Sequence, residues 1–63
     1  MPIVRVQMWS GRTHSQKAEL ARLITDAIVS VAGTTPDAII VIFEDMAKEN
    51  WAVGGVLASD VKA

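Results

Sequence analysis

The chain has 63 residues, with six Lys or Arg, seven Asp or Glu, one His, no Cys and a formal net charge of −1. Without Cys there are no disulfides, and a structural zinc site is not expected. The charged residues are scattered along the chain, so they offer no basic face to nucleic acid. Apolar residues make up 51% of the chain, a surplus for so small a particle that predicts burial in subunit interfaces.

One domain spanning residues 1–63 is expected, because the chain has no repeats, low-complexity tracts or linkers. No apolar run approaches the roughly 18 residues of a membrane span, and the amino end lacks a signal-peptide layout. We therefore expect a cytoplasmic protein without a membrane partner.

The first predicted element is a strand from Pro2 to Trp9, in which side chains alternate between two faces. One face is wholly apolar and should pack on a helix, while the other mixes apolar and polar groups as a subunit interface would. The apolar face carries Val4, Val6 and Met8, and the mixed face carries Ile3, Arg5, Gln7 and Trp9.

A capping box predicts the start of a helix, with Thr13 as the N-cap and Gln16 reaching back to it. Gly33 is well placed to end this helix. His14 lies in the first turn, where a helical position explains it without a catalytic role. The predicted apolar stripe contains Leu20, Leu23, Ile24, Ala27, Ile28 and Val31, and the polar side contains Lys17, Glu19, Arg22, Asp26 and Ser30.

A second strand is predicted from Ile39 to Phe43, apolar on both faces and ending before Glu44-Asp45. Strand, helix and strand form a right-handed βαβ crossover with a parallel pair, which defines an α/β (α+β) fold. One helix covers one face, so the other face needs another chain. In the tail, Gly54 and Gly55 predict a small hairpin or bulged strand that pairs with a neighbour's sheet edge.

The start Met1-Pro2 offers an unusual base. An initiator methionine before proline is normally removed, which leaves a secondary amine at Pro2. An α-amino group titrates at about 7.7–8.0, and burial beside cations lowers that pKa toward the range in which a general base works best. The alternative is that Pro2 only opens a strand, where a missing N–H costs little.

An arginine and an aromatic residue complete the candidate site. Arg12 lies past the far end of the first strand, roughly 30 Å from Pro2 at about 3.3 Å per residue. The two can therefore meet only if one chain's Pro2 faces another chain's Arg12. An arginine fork there would hold a carboxylate and stabilise an enolate oxygen. Arg12 can equally be a solvated loop cation, and Trp51 either packs in an interface or walls a pocket.

Several short motifs follow one another in order: Met1-Pro2-Ile3, Gly11-Arg12 before the capped helix, Glu44-Asp45-Met46-Ala47-Lys48, Trp51, and Gly54-Gly55-x-Leu57-Ala58-Ser59. With this chain length, the whole series resembles the 4-oxalocrotonate tautomerase family. The resemblance implies the tautomerase β-α-β fold, with a parallel strand pair, one covering helix and a short C-terminal hairpin. It also implies completion by oligomerisation, as a homohexamer built from three dimers.

For activity, the resemblance implies an isomerase that works without a cofactor, of the kind used in aromatic compound catabolism. Pro2 would be the base that carries a proton between positions of an enol or dienol carboxylate such as 2-hydroxymuconate or phenylenolpyruvate. Arg12 would grip a substrate carboxylate, and Trp51 would stand where the family has a pocket phenylalanine. Trp9 would lie near the pocket mouth.

The chain departs from the family pattern at Ile40. The family's best-studied members carry a second arginine there, which polarises the 2-keto oxygen and the adjacent carboxylate. Losing such a donor costs about 3–4 kcal/mol of transition-state stabilisation in comparable cases. Turnover of a dicarboxylate is therefore expected to be inefficient unless another cation, such as Arg5, reaches the pocket.

Two other functions stay open at this point. With fewer cations around it, Pro2 would stay protonated and act as an acid that adds water to an unsaturated or halogenated carboxylate. Glu44, Asp45 and Glu49 are the candidates to activate that water, although Glu44 and Asp45 are adjacent and so point to opposite faces. The last possibility is a non-catalytic oligomeric paralogue, which retention of Met1 would favour because an acylated proline nitrogen has no basic lone pair.

Overall fold

The computed structural model of the protein describes residues 1–61. The elements in chain order are β1 (Ile3–Trp9), α1 (His14–Ala32), a 3₁₀ turn (Pro36–Ala38), β2 (Ile40–Met46), a 3₁₀ turn (Lys48–Asn50), β3 (Ala52–Val53), β4 (Val56–Leu57) and a 3₁₀ turn (Ala58–Asp60). This order is the predicted strand, helix and strand followed by a short hairpin.

β1 and β2 form a parallel pair, in register from Ile3 opposite Ile40 to Trp9 opposite Met46. Backbone hydrogen bonds lengthen the pair at both ends. The Ile40 N–H donates to the carbonyl of Pro2 at 3.0 Å, and the Ser10 N–H donates to the carbonyl of Met46 at 2.9 Å. Because α1 joins the two strands, the predicted β-α-β unit with a parallel pair is confirmed.

α1 begins and ends where the sequence predicts. The Thr13 hydroxyl accepts a hydrogen bond from the Gln16 N–H at 3.1 Å, and the Gln16 side-chain oxygen accepts one from the Thr13 N–H at 2.9 Å. At the other end Gly33 has a φ of 70°, and its N–H donates to the carbonyl of Val29 at 3.1 Å. The left-handed conformation at Gly33 is one that a residue without Cβ adopts at little cost.

β2 differs from its prediction at both ends. It begins one residue later, and instead of ending at Phe43 it continues through Glu44 and Asp45. Each of these carboxylates has a cation beside it: Arg5 lies 3.8 Å from Glu44 on one face of the sheet, and Lys17 of α1 lies 2.5 Å from Asp45 on the other. Because each carboxylate pairs with a cation on its own face of the sheet, both can lie within the strand.

The side of α1 that meets the sheet is only partly the predicted one. Ile24 and Ile28 are half-buried as expected, but Leu23 is 49% and Val31 is 89% exposed. The half-buried positions are Lys17, Ala21, Ile24, Thr25, Ile28 and Val29. They also have helical spacing, and they bring Lys17 against β2. Within a single chain the prediction was wrong for Leu20, Leu23, Ala27 and Val31, because α1 carries two overlapping apolar stripes and only one contacts the strands.

The tail forms the predicted hairpin. β3 and β4 pair antiparallel, with Val53 opposite Val56 next to the turn. Gly54 and Gly55 make that turn with φ angles of 60° and 83°, and two successive positive φ values are what a two-residue type I′ hairpin turn requires. Pairing of this hairpin with a neighbouring chain stays a prediction.

The chain by itself is open and elongated. Among residues 1–61 no side chain is fully buried. The radius of gyration is 14.9 Å, whereas a compact domain of this length has about 10.6 Å. The accessible surface is 4807 Å², whereas a compact monomer of this mass exposes about 4,000 Å². The apolar side chains therefore lack sufficient cover within their own chain.

Candidate active site

The face of the β1/β2 pair that points away from α1 is called the open face below. It carries the register pairs Ile3 and Ile40, Arg5 and Ile42, Gln7 and Glu44, and Trp9 and Met46. Ile3 is 58% and Ile40 39% exposed, while α1 lies on the opposite side. This face is the mixed face that the alternation of β1 predicts.

Pro2 lies at one end of the open face. It is half-buried, and its carbonyl is tied to the first N–H of β2 by the 3.0 Å hydrogen bond from Ile40. Met1, which precedes it, is 83% exposed. Removal of Met1 would leave the Pro2 amine at the edge of an apolar surface formed by Ile3 and Ile40.

Two tryptophans meet at the other end. The Trp9 and Trp51 ring centroids are 6.0 Å apart with an interplanar angle of 76°, an edge-to-face arrangement that aromatic quadrupoles favour. Trp9 comes from the last position of β1, and Trp51 follows the turn after β2. Trp51, the predicted wall residue, and Trp9, predicted near the pocket mouth, thus form one aromatic surface, with Trp9 still 41% exposed.

Arg12 lies beside this aromatic end. It stands on the loop between β1 and α1, where Gly11 has a φ of 126° and Thr13 caps the helix. Its side chain is exposed, and no carboxylate of residues 1–61 lies within 4.0 Å of it. An exposed guanidinium without an internal partner is available to an external anion.

Pro2 and Arg12 are separated by the whole of β1 and do not meet within one chain. Pro2 is bonded to the first residue of β2, whereas the loop of Arg12 leaves the end at which Trp9 is opposite Met46. The single chain also encloses no cavity among its described residues. A pocket that contains both groups therefore requires two chains.

Among residues 1–61, no Lys or Arg side chain stands beside Ile40 on the open face. Arg5 is the one Lys or Arg within β1 and β2, and it is opposite Ile42 in the register. Its guanidinium is directed to Glu44, at 3.8 Å, which lies further along β2 and away from Ile40. Within one chain Arg5 therefore does not supply the charge that is missing at Ile40.

Of the remaining ionisable candidates, His14 and Asp45 lie away from the open face. His14 is the first residue of α1 and is exposed. Asp45 faces the helix and pairs with Lys17, so Glu44 is the only one of the two adjacent carboxylates on the open face. On the outer side of α1, Arg22 lowers the pKa of Glu19 below its usual value, mainly through a hydrogen bond and secondly through its positive charge.

Two kinds of feature are absent from the described residues. Between residues 1 and 61, no three His, Cys, Asp or Glu side chains are grouped closely enough to bind a metal ion. The helices of the same part of the chain include none that is both long and apolar enough to span a bilayer.

One residue at the aromatic end was missed by the sequence interpretation. The ammonium of Lys48 lies over the ring of Trp9, 4.8 Å from its centroid, a cation–π contact. Lys48 was used only as part of a motif. The available signal was its position: it follows the end of β2 by two residues, and β2 ends opposite Trp9.

Comparison with known proteins agrees with this geometry. A family model described as "Tautomerase enzyme" matches residues 2–61. The 2-hydroxymuconate tautomerase of Bacillus subtilis is 39% identical over 62 residues, which cover 98% of this chain and 100% of that protein. The chain therefore belongs to the tautomerase enzyme family.

Solved structures define the class of protein more narrowly. The crystal structure of YwhB, a homologue of 4-oxalocrotonate tautomerase, superposes with a TM-score of 0.92 at 38% identity, covering 97% of this chain and 100% of that one. A heterohexamer 4-oxalocrotonate tautomerase from Chloroflexus aurantiacus J-10-fl gives 0.90 at 29% identity, with 98% and 100% coverage. The chain is a 4-oxalocrotonate tautomerase-like isomerase with the β-α-β fold, and at least one of its homologues is oligomeric.

Proposed function

We propose that this isomerase interconverts the enol and keto forms of an enol or dienol carboxylate, such as 2-hydroxymuconate or phenylenolpyruvate. Residues 1–63 act as one tautomerase domain. The observation that carries the proposal is the arrangement of the open face: a proline one residue before the strand at one end, and an arginine without a carboxylate partner beside two tryptophans at the other.

Self-association supplies the missing half of each pocket. A two-fold axis across the strand direction brings the Pro2 end of one chain to the Arg12 end of another, since a symmetric interface presents the same surface twice. The absence of fully buried side chains in residues 1–61 and the large exposed surface support this arrangement. We propose a homohexamer of three dimers, the assembly that the family resemblance implies.

In the proposed reaction, Pro2 is the general base after Met1 has been removed. Its ring nitrogen takes one proton from the enol acid and returns one to a carbon of the same molecule, while the double bonds shift and the enol oxygen becomes a ketone. No atom is gained or lost overall, so no co-reactant is required. Arg12 binds the carboxylate and opposes the negative charge that develops beside it. Trp51 and Trp9 form the apolar wall and keep water from the amine.

The test is the rate of 2-hydroxymuconate ketonisation, followed by ultraviolet absorbance on protein whose intact mass shows the loss of Met1. A parallel assay with phenylenolpyruvate asks whether one carboxylate suffices. Because no Lys or Arg side chain of residues 1–61 stands beside Ile40, we expect a slower dicarboxylate reaction than an enzyme with an arginine there would give. Absence of ketonisation of both substrates by the demethionylated protein would refute the proposed activity.

A second reaction is favoured by one observation, the lack of a Lys or Arg side chain near Ile40 among residues 1–61. With fewer positive charges around it, the Pro2 amine would be protonated at neutral pH and would donate a proton while water adds to an unsaturated or halogenated carboxylate. Glu44 is the carboxylate on the open face that could activate the water, although Arg5 pairs with it. A pH–rate profile separates the reactions: base catalysis rises through the amine pKa, and acid catalysis falls through it.

A further inference from the structure

The cationic side chains of residues 1–61 fall into two groups. Three of the five have a carboxylate partner within 4.0 Å: Arg5 with Glu44, Lys17 with Asp45, and Arg22 with Glu19 and Asp26. The other two, Arg12 and Lys48, have no carboxylate partner in this part of the chain. Two positive charges therefore remain unneutralised in the described chain.

Both of these cations lie on chain segments that leave the same edge of the sheet. Parallel strands end at a common edge, and here β1 ends at Trp9 opposite the last residue of β2, Met46. Arg12 follows Trp9 by three residues, and Lys48 follows Met46 by two. The hydrogen bond of 2.9 Å from the Ser10 N–H to the Met46 carbonyl holds the two exiting segments side by side.

Lys48 is also held in place. Its backbone begins a 3₁₀ turn in which the Asn50 N–H donates to the Ala47 carbonyl at 2.9 Å and the Trp51 N–H donates to the Lys48 carbonyl at 3.3 Å. Its ammonium rests on the Trp9 ring at 4.8 Å. A lysine that is already placed loses less rotamer freedom when it binds an anion than a freely rotating one does.

We propose that Lys48 is a specificity-determining residue, which binds the second carboxylate of a planar dianionic substrate whose first carboxylate is held by Arg12. The conjugated chain of the substrate lies against the surface that the Trp9–Trp51 edge-to-face pair forms. Lys48 thereby supplies a second cation to a site in which residues 1–61 place no Lys or Arg near Ile40. This inference rests on the proposed function for the position of the pocket, but it concerns binding and is tested without turnover.

A purely structural role for Lys48 makes a different prediction. If Lys48 only holds Trp9 in position, its replacement disturbs the aromatic surface and weakens every planar ligand alike. If Lys48 binds a second carboxylate, its replacement weakens only ligands that have one. Two inert probes with the same planar six-carbon diene separate these roles, because trans,trans-muconate has two carboxylates and sorbate has one.

The experiment measures dissociation constants for muconate and sorbate from the quenching of tryptophan fluorescence in protein that has lost Met1. Wild type should bind muconate more tightly than sorbate. In Lys48→Gln, the muconate constant should rise about fivefold, the size expected for one exposed charge pair, and the sorbate constant should stay within about twofold. Lys48→Arg should restore muconate binding, since it retains the charge.

Arg22→Gln is the matched control, because it removes one positive charge from the outer side of α1 and should change neither constant. Equal losses for both probes in Lys48→Gln, no loss for muconate, or no preference for muconate in wild type would overturn the inference. A wild type that binds muconate with the expected dependence on Lys48 but does not ketonise 2-hydroxymuconate would refute the proposed activity and leave the role of Lys48 standing.

Discussion

The two faces of the β1/β2 pair belong to the same strands but obtain their partners differently. On the face under α1, called the covered face below, Val4, Val6 and Phe43 are half-buried. The Lys17–Asp45 ion pair joins the helix to this face. On the open face Ile3 and Trp9 remain 58% and 41% exposed. The first face is partly covered within the chain, whereas we propose that other copies and substrate cover the second. Substitutions on the covered face should therefore alter stability, and substitutions on or beside the open face should alter activity.

The sharpest separation of the two faces comes from Pro2→Ala. It replaces the proposed base, a ring secondary amine, by the acyclic primary amine of alanine without touching the covered face, so kcat/KM for ketonisation should fall about 100-fold, within the range that general base catalysis contributes. The free energy of unfolding should stay within about 0.5 kcal/mol of wild type, as for most surface substitutions. The ultraviolet assay and denaturant unfolding measure the two quantities. Full activity in Pro2→Ala would end the proposal.

The converse substitution is Phe43→Ala on the covered face. Truncating a fully buried phenylalanine costs about 3–5 kcal/mol, and because Phe43 is half-buried we expect about 2–3 kcal/mol in the free energy of unfolding. Denaturant unfolding at a fixed protein concentration measures it. Ser30→Ala on the exposed side of α1 is the control, with an expected change within about 0.5 kcal/mol. Equal stabilities for both variants would show that α1 does not hold this face.

Arg12→Ala should separate binding from proton transfer at the Trp9 end. It removes a charge-assisted contact to the substrate carboxylate, so KM should rise and kcat/KM should fall by about 10-fold to 100-fold, while kcat changes less. Steady-state kinetics on the demethionylated protein measure both constants. Arg22→Ala provides the charge-matched control on the outer side of α1. An unchanged KM in Arg12→Ala would show that Arg12 is a solvated loop cation and does not bind the substrate carboxylate.

The smallest effect is expected far from both faces, at Glu19. The hydrogen bond and charge of Arg22 lower the folded-state pKa of Glu19 from its usual 4.5, so this contact stabilises the fold above that value. The stabilisation is lost as the pH falls through the lowered pKa. Glu19→Gln should therefore reduce Tm slightly at neutral pH and leave it unchanged in acid, as thermal unfolding at the two pH values would show. A difference that grew in acid would contradict this assignment.

Much of the candidate site can be read from the sequence. The position of Pro2 before an alternating strand, Arg12 in the loop beyond it, and the tryptophans at positions 9 and 51 are all visible without coordinates. The edge-to-face contact of Trp9 with Trp51, and the position of Lys48 on Trp9, are not. Those contacts depend on strand register, which decides which residues after β1 and β2 become neighbours.

By itself, the sequence determined the elements with strong local signals. The capping box at Thr13 and the left-handed Gly33 set the helix limits, and Gly54-Gly55 set the hairpin turn, because each acts through hydrogen bonds or φ angles of nearby residues. Only the tertiary structure decided how far β2 extends and which stripe of α1 meets it. Those outcomes depend on charge pairs that form across the fold, above all Lys17 with Asp45, 28 residues apart along the chain.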